Sequence, residues 1–235
     1  MADFMRVQMG TCAVFVIRGE DGYILVDAGN RGWERKLFRS LENNGVLPEE
    51  ISLIVVTHVH YDHVGALSAV KERCGCPVAV HARERAILES GLSVLPAGTN
   101  PFADAVLHMG DRLVELGIFG FKPVKPDIIV EGEMELAPFG VDGVIVPTPG
   151  HTAGSISVLL PDHNAYVGDT VITYPFIPGY PIYPPFADDP EMLLETWELL
   201  LERNVRRIHQ AHGGEVSDDQ LRRAYESRRA KLVGG

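Results

Sequence analysis

Four side chains able to bind a divalent cation, His58, His60, Asp62 and His63, fall within one short stretch, Thr57-His58-Val59-His60-Tyr61-Asp62-His63-Val64-Gly65. The apolar, β-branched run Ile51 to Val56 before it reads as a buried strand. Val64 to Val70 after it reads as the start of a helix. The cluster therefore stands where a strand's carboxyl end turns into a helix, the place where open α/β sheets put their active sites. His58 and His60, two apart in extended chain, point to the same side and can grip one ion. Asp62 and His63 follow as the chain turns, and can aim at a second ion beside the first. Neutral imidazoles with a carboxylate suit zinc, and tolerate iron or manganese. A polar turn that merely happens to be rich in histidine fits a lone surface histidine better than this ordered set.

The rest of the chain supplies strands around that turn. Cys12–Arg18 and Tyr23–Val26 flank Asp21-Gly22 and read as a hairpin that ends at Asp27. Asp27 is either a turn-initiating residue or a carboxylate bracing the metal loop. Gly32 to Asn44 reads as a helix with Trp33, Leu37 and Leu41 on one face, stopped by Gly45. Pro77–His81 is a further strand, so a β-α-β-α-β pattern is in place early. Residues 83–126 read as an insertion that either covers the metal pocket as a lid or only connects. Within it Arg83–Ser90 and Ala103–Leu116 are helical. His81 and His108 lack ligand-like neighbours and read as structural.

Beyond the insertion, 128–130 and 133–136 flank Glu131-Gly132 and read as a hairpin. Strand Gly143–Val146 ends at Thr148-Pro149-Gly150-His151, where the bend leaves His151 at a strand terminus. Ser155–Leu160 and Ala165–Val167 are strands, and the second runs into Gly168-Asp169-Thr170. His163 sits in a polar turn between them and reads as solvated. Residues 173–189 carry Tyr174, Phe176, Tyr180, Tyr183 and Phe186 among many prolines. Such a loop cannot pair as a central strand. It reads as a pocket wall, with Tyr174 and Tyr183 as its candidates, or as the contact of a homodimer, or as a packed surface loop. Asp189-Pro190 opens a helix whose buried face is Leu193, Leu194, Trp197, Leu200 and Leu201. Val205–Ala211 is the last strand and ends in His212, with His209 structural; Ser217-Asp218-Asp219 caps a closing helix.

Composition narrows the function. The net charge is −11, and an acidic surface without a lysine or arginine run argues against nucleic acid as a partner. Cysteine is sparse (Cys12, Cys74, Cys76), and Cys74-Gly75-Cys76 is too tight for an ordinary structural disulfide, which suits a reducing compartment. No apolar run reaches membrane-spanning length, and Met1 to Arg6 lacks the apolar core of a signal peptide. A cytoplasmic protein acting on a small molecule is the expectation, formed as a single domain over residues 1–235.

His58, His60, Asp62, His63, His151, Asp169 and His212 each follow an apolar strand, and seven such groups suffice for two ions. With His58-Val-His60-Tyr-Asp62-His63, Pro-Gly-His151-Thr, Gly168-Asp169-Thr170 and Ala211-His212-Gly213, the chain resembles the metallo-β-lactamase fold hydrolases, and Asp27 matches their first motif. The resemblance covers residues 12 to about 214. It implies an α+β fold, a four-layer αββα sandwich with the metals at one edge. It implies that His58, His60 and His151 hold one ion, that Asp62, His63 and His212 hold a second, that Asp169 bridges, and that Asp27 braces the loop. Asp62 and Asp169 are the catalytic carboxylates on this view. Two divalent ions, zinc before iron or manganese, then acidify a shared water for attack on an ester, thioester or lactone carbonyl, as in glyoxalase II-like or lactonase-like enzymes. A one-iron enzyme resembling persulfide dioxygenases, using His58, His151 and Asp169, is the alternative. A phosphodiesterase ranks below both.

Overall fold

The computed structural model describes residues 4–93, 97–99, 120–173 and 182–233. Two mixed six-stranded sheets face each other, with helices outside both. The first sheet runs in the order β1 (Phe4–Met9), β2 (Cys12–Arg18), β3 (Tyr23–Val26), β4 (Ile51–Val55), β5 (Val78–His81), β6 (Ile128–Val130). β1 to β3 are antiparallel, and β3 to β6 run parallel. The second sheet consists of β7 (Met134–Glu135), β8 (Val144–Pro147), β9 (Ile156–Leu159), β10 (Asn164–Tyr166), β11 (Arg207–His209) and β12 (Glu215–Ser217), antiparallel except for the β10–β11 pair.

Alternation along the strands builds the layers. On β2, Ala13, Phe15 and Ile17 enter the core between the sheets, while Val14 and Val16 face outward. On β4, Leu53 and Val55 point inward, and Ile54 joins the outer cluster. That outer face is covered by α1 (Glu34–Asn43), through Leu37 and Leu41, and by α3 (Leu67–Cys74), through Leu67 and Val70. The short α2 (Tyr61–Val64) carries the histidine-rich turn, and α4 (Arg85–Ser90) follows β5. The second sheet is covered by α5 (Pro190–Glu202) and α6 (Asp218–Val233), through Leu193, Trp197, Leu200 and Leu221. Every one of these side chains is almost fully buried, and each valine, leucine, isoleucine or phenylalanine among them contributes roughly 1.5–3 kcal/mol of transfer free energy. The result is the αββα order.

Helix ends obey local chemistry. The Asp189 carboxylate accepts from the Glu191 and Met192 amides, and Pro190 takes the first helical position of α5. Gly75 closes α3 at φ 70°, a backbone conformation that favours glycine.

The structure corrects several sequence expectations. Trp33 is not on the buried face of α1: it lies before the helix proper and is 42% exposed. The segments 128–130 and 133–136 do not form a hairpin. β6 closes the first sheet and β7 opens the second, so Glu131-Gly132 is the crossover between sheets. The last strand is shorter than expected, and β1 and β12 are additional. The helix expected over 103–116, His108 and Tyr174 lie outside the described residues. No helix among the described residues is long and apolar enough to cross a membrane.

Candidate metal centre

Four strand ends converge at one edge of the sandwich. β4 runs into His58, His60, Asp62 and His63; β8 into His151; β10 into Asp169; β11 into His212. Two groups result, each with its donor atoms within 4.8 Å of one another: His58, His60, His151 and Asp169, and beside it Asp62, His63 and His212.

In the first group His58 Nε2 and His60 Nδ1 are 2.9 Å apart, and His151 Nε2 is 3.2 Å from the same His60 nitrogen. Asp169 Oδ2 lies 3.9 Å from His58 Nε2 and 3.7 Å from His151 Nε2. In the second, His212 Nε2 is 3.2 Å from Asp62 Oδ2. Asp169 stands between the groups, with Oδ1 3.2 Å from His63 Nε2 and Oδ2 3.3 Å from His212 Nε2. Only His212 is partly open, its side chain 21% exposed; the other six are buried.

The outer nitrogens of three of the rings are tied back. His63 Nδ1 is 2.8 Å from Asp27 Oδ2, His151 Nδ1 is 2.8 Å from the Phe186 carbonyl, and His212 Nδ1 is 3.0 Å from the Thr11 carbonyl. Such contacts fix the ring orientation, so that the inner nitrogen faces the cluster. Asp27 also accepts from the Thr57 amide and hydroxyl, both at 2.8 Å. It is a buried non-glycine residue at φ 62°. Strain of about 1–3 kcal/mol at such a residue persists only where its surroundings over-determine it.

The protonation pattern follows from the same geometry. Burial, then the neighbouring imidazoles, hold His58 well below its ordinary pKa. Burial and His151 bring His60 down to about 3, and burial also lowers His151. For His212 burial acts downward, but Asp169 and Asp62 overcome it and raise the pKa to about 10. Burial opposes ionisation of Asp169, yet His212 and His63 keep its carboxyl well below the usual range. Asp62 is lowered to about 2 by its hydrogen bond to His212 and by His63, against burial.

The donor set fits a divalent cation. Buried His63 Nε2 and Asp169 Oδ1 face each other at 3.2 Å, and neither has a further hydrogen-bond partner among the described residues. Native proteins rarely leave such atoms unsatisfied. Three neutral imidazoles beside carboxylates are what zinc, iron or manganese bind.

The described surroundings of the centre show three further features. Tyr183 is 6% exposed and built into the core, its ring edge-on to Trp197 and under the Arg228 guanidinium. In the described part of the 83–126 insertion, 97–99 pairs with 184–187, including Ala187 N to Ala97 O at 3.0 Å. That strip positions the Phe186 carbonyl on which His151 rests. Glu84 escaped the sequence reading altogether. It is 3% exposed and accepts from the Val59 amide at 2.9 Å, between the first two histidines.

Residues 8–227 match the metallo-beta-lactamase superfamily. A Methanocaldococcus jannaschii protein named "Probable metallo-hydrolase MJ0888" is 31% identical over 202 residues, 83% of this chain and 84% of the relative. Among solved structures, the BLEG-1 B3 metallo-beta-lactamase superposes with a TM-score of 0.69 at 21% identity, covering 93% of this chain and 95% of its own. TTHA1623, solved in a di-iron-bound form, gives 0.67 at 23% identity over 94% and 98%. With two facing sheets, helices outside both and the strand-end cluster in place, the chain belongs to the metallo-β-lactamase superfamily.

Proposed function

We propose that the chain is a metal-dependent hydrolase of small carbonyl substrates, an ester, thioester or lactone, working with two divalent ions. The observation that carries this reading is the meeting of seven donor side chains from four strand ends in two adjoining groups, with Asp169 reaching both. His58, His60, His151 and Asp169 would hold one ion, and Asp62, His63 and His212 the other, again with Asp169. Such a pair supplies an acidified water and a Lewis acid for the carbonyl oxygen.

The chain's own residues do the rest. The three imidazoles of the first group stay neutral at physiological pH, so their lone pairs are free for coordination. Asp62 Oδ2 is steadied by His212 and by the Thr11 hydroxyl at 3.2 Å. On this reading Asp62 would orient the attacking water and relay its proton. Asp169 keeps the two groups in register. The acidic surface disfavours polyanionic substrates, which ranks phosphodiesters below neutral carbonyl compounds.

The one-iron oxygenase reading uses only His58, His151 and Asp169. It leaves Asp62, His63 and His212 converged without a task, and it is not favoured. Zinc is the first expectation; iron stands beside it because a protein of the same fold carries two irons. The test is metal analysis on protein purified without added metal, followed by a panel of thioesters, lactones and phosphodiesters. Two equivalents of metal with turnover on a carbonyl ester is the expected result. One iron per chain with oxygen uptake on a persulfide would overturn the proposal.

A further inference from the structure

We infer that Glu84 is a positioning residue dedicated to the three-histidine half of the centre: it clamps the loop carrying His58 and His60 to the loop carrying His151. The inference rests on the two-ion reading above and divides its support between two buried carboxylates.

Asp27 serves the other half. It contacts His63 directly and holds Thr57 at the end of β4. Its side-chain hydrogen bonds among the described residues all go to Thr57 and His63, within the β4 end and the histidine-rich turn. Glu84 has the complementary position. It arrives from the turn after β5, and its Oε2 accepts from the Val59 amide at 2.9 Å. The same carboxylate faces the Thr152 hydroxyl and the Gly154 amide, one and three residues beyond His151. Val59 is gripped from its other side as well, because its carbonyl accepts from the Ser93 hydroxyl at 3.3 Å. Val59, between the two histidines, is therefore fixed at both of its backbone polar groups.

Gly154 supplies a second, independent sign. A Cβ built there would lie 2.6 Å from Glu84 Cγ and 2.9 Å from Oε1. Its backbone is not in the left-handed region, so conformational freedom does not explain the glycine. The close approach of the Glu84 side chain does. A carboxylate that is 3% exposed is costly unless backbone and hydroxyl donors satisfy it. Here those donors are the two ligand-bearing loops.

The test measures zinc affinity by competition with a chromophoric chelator, in two backgrounds. His212→Ala leaves the three-histidine group intact, and His151→Ala leaves the Asp62, His63, His212 group intact. In the His212→Ala background, Glu84→Leu is expected to weaken zinc binding about 10–100-fold, the usual effect of losing an outer support. Glu84→Gln keeps an acceptor for the Val59 amide and is expected to stay within about threefold of its parent. In the His151→Ala background, Glu84→Leu is expected to change nothing. Gly154→Ala retains Glu84 but displaces it, and should reproduce the selective loss even if Glu84→Leu fails to fold. Equal losses in both backgrounds, or none in either, overturn the clamp. Wild-type protein that binds no zinc overturns the two-ion reading itself, so the two failures are told apart.

Discussion

Asp27 Oδ2 lies 2.8 Å from His63 Nδ1, and the opposite nitrogen of that ring faces Asp169 at 3.2 Å. A residue at φ 62° thus sets the direction of a ring that reaches the centre from behind. Asp27→Ala should lower the affinity of the His63 group about 10–100-fold, because the ring loses the partner that fixes its orientation. It should also destabilise the metal-free fold by about 1–3 kcal/mol, since the buried Thr57 amide is left unpaired. Zinc titration and urea denaturation of the chelator-treated protein check both, and unchanged affinity would refute the bracing role.

Among the described residues Asp169 is the side chain that both donor groups reach, so Asp169→Ala should reduce bound metal below that of any single-histidine variant. Treatment with a strong chelator should abolish turnover while the far-ultraviolet circular dichroism persists. Three apolar clusters hold the sandwich without help from the centre. Bound metal should then add stability by mass action, about 4 kcal/mol at a thousandfold excess over the dissociation constant. Loss of secondary structure on metal removal would show that the ions are part of the fold.

Much of the centre was legible in the chain because its donors follow apolar strands directly, so local patterning alone places His58, His151, Asp169 and His212 at strand ends. The sandwich layers were legible for a similar reason: alternation along β2 and β4 assigns each residue to one face. What escaped depends on distance in sequence. Glu84 sits in Arg83–Ser90, which reads only as a helix, and its Val59 partner is 25 residues away. Tyr183 sits among prolines that suggest a pocket wall, yet Trp197 and Arg228, from two helices, enclose it. β12 spans only Glu215–Ser217 and has no apolar rhythm to announce it; pairing with β11 creates it.

Gly168 tests how tightly the β10 end packs on the β4 end. It has φ 54°, and a Cβ there would meet the Thr57 hydroxyl and lie 2.8 Å from Thr57 Cβ. That hydroxyl bonds Asp27 and lies 3.1 Å from His58 Nδ1. Gly168→Ala should therefore cost about 1–3 kcal/mol in stability and weaken metal binding at the same time. A variant that loses stability but retains wild-type metal affinity would mean that the Thr57 link does not reach the ligands.

His209 offers a pH readout away from the ligands. Its ring stacks on Tyr166 at 4.8 Å and packs against Phe4, and its Nε2 donates to Asn164 Oδ1 at 2.8 Å. Burial first, then the Arg207 charge, lowers its pKa to about 4, against about 6.5 in an unfolded chain. Between those values the unfolded state binds the extra proton, so stability rises with pH there. The contribution of the neutral ring is present above about pH 6.5 and is lost as pH falls towards 4, with a slope approaching ~1.4 kcal/mol per pH unit for one proton. His209→Phe keeps the aromatic packing, cannot take up that proton, and forfeits the Asn164 bond. The variant should be less stable than wild type at pH 7.5, and the gap should close between pH 6.5 and 4.5. Urea denaturation of both metal-free proteins across that range measures the gap directly, and a constant gap would show that His209 is not held neutral by the fold.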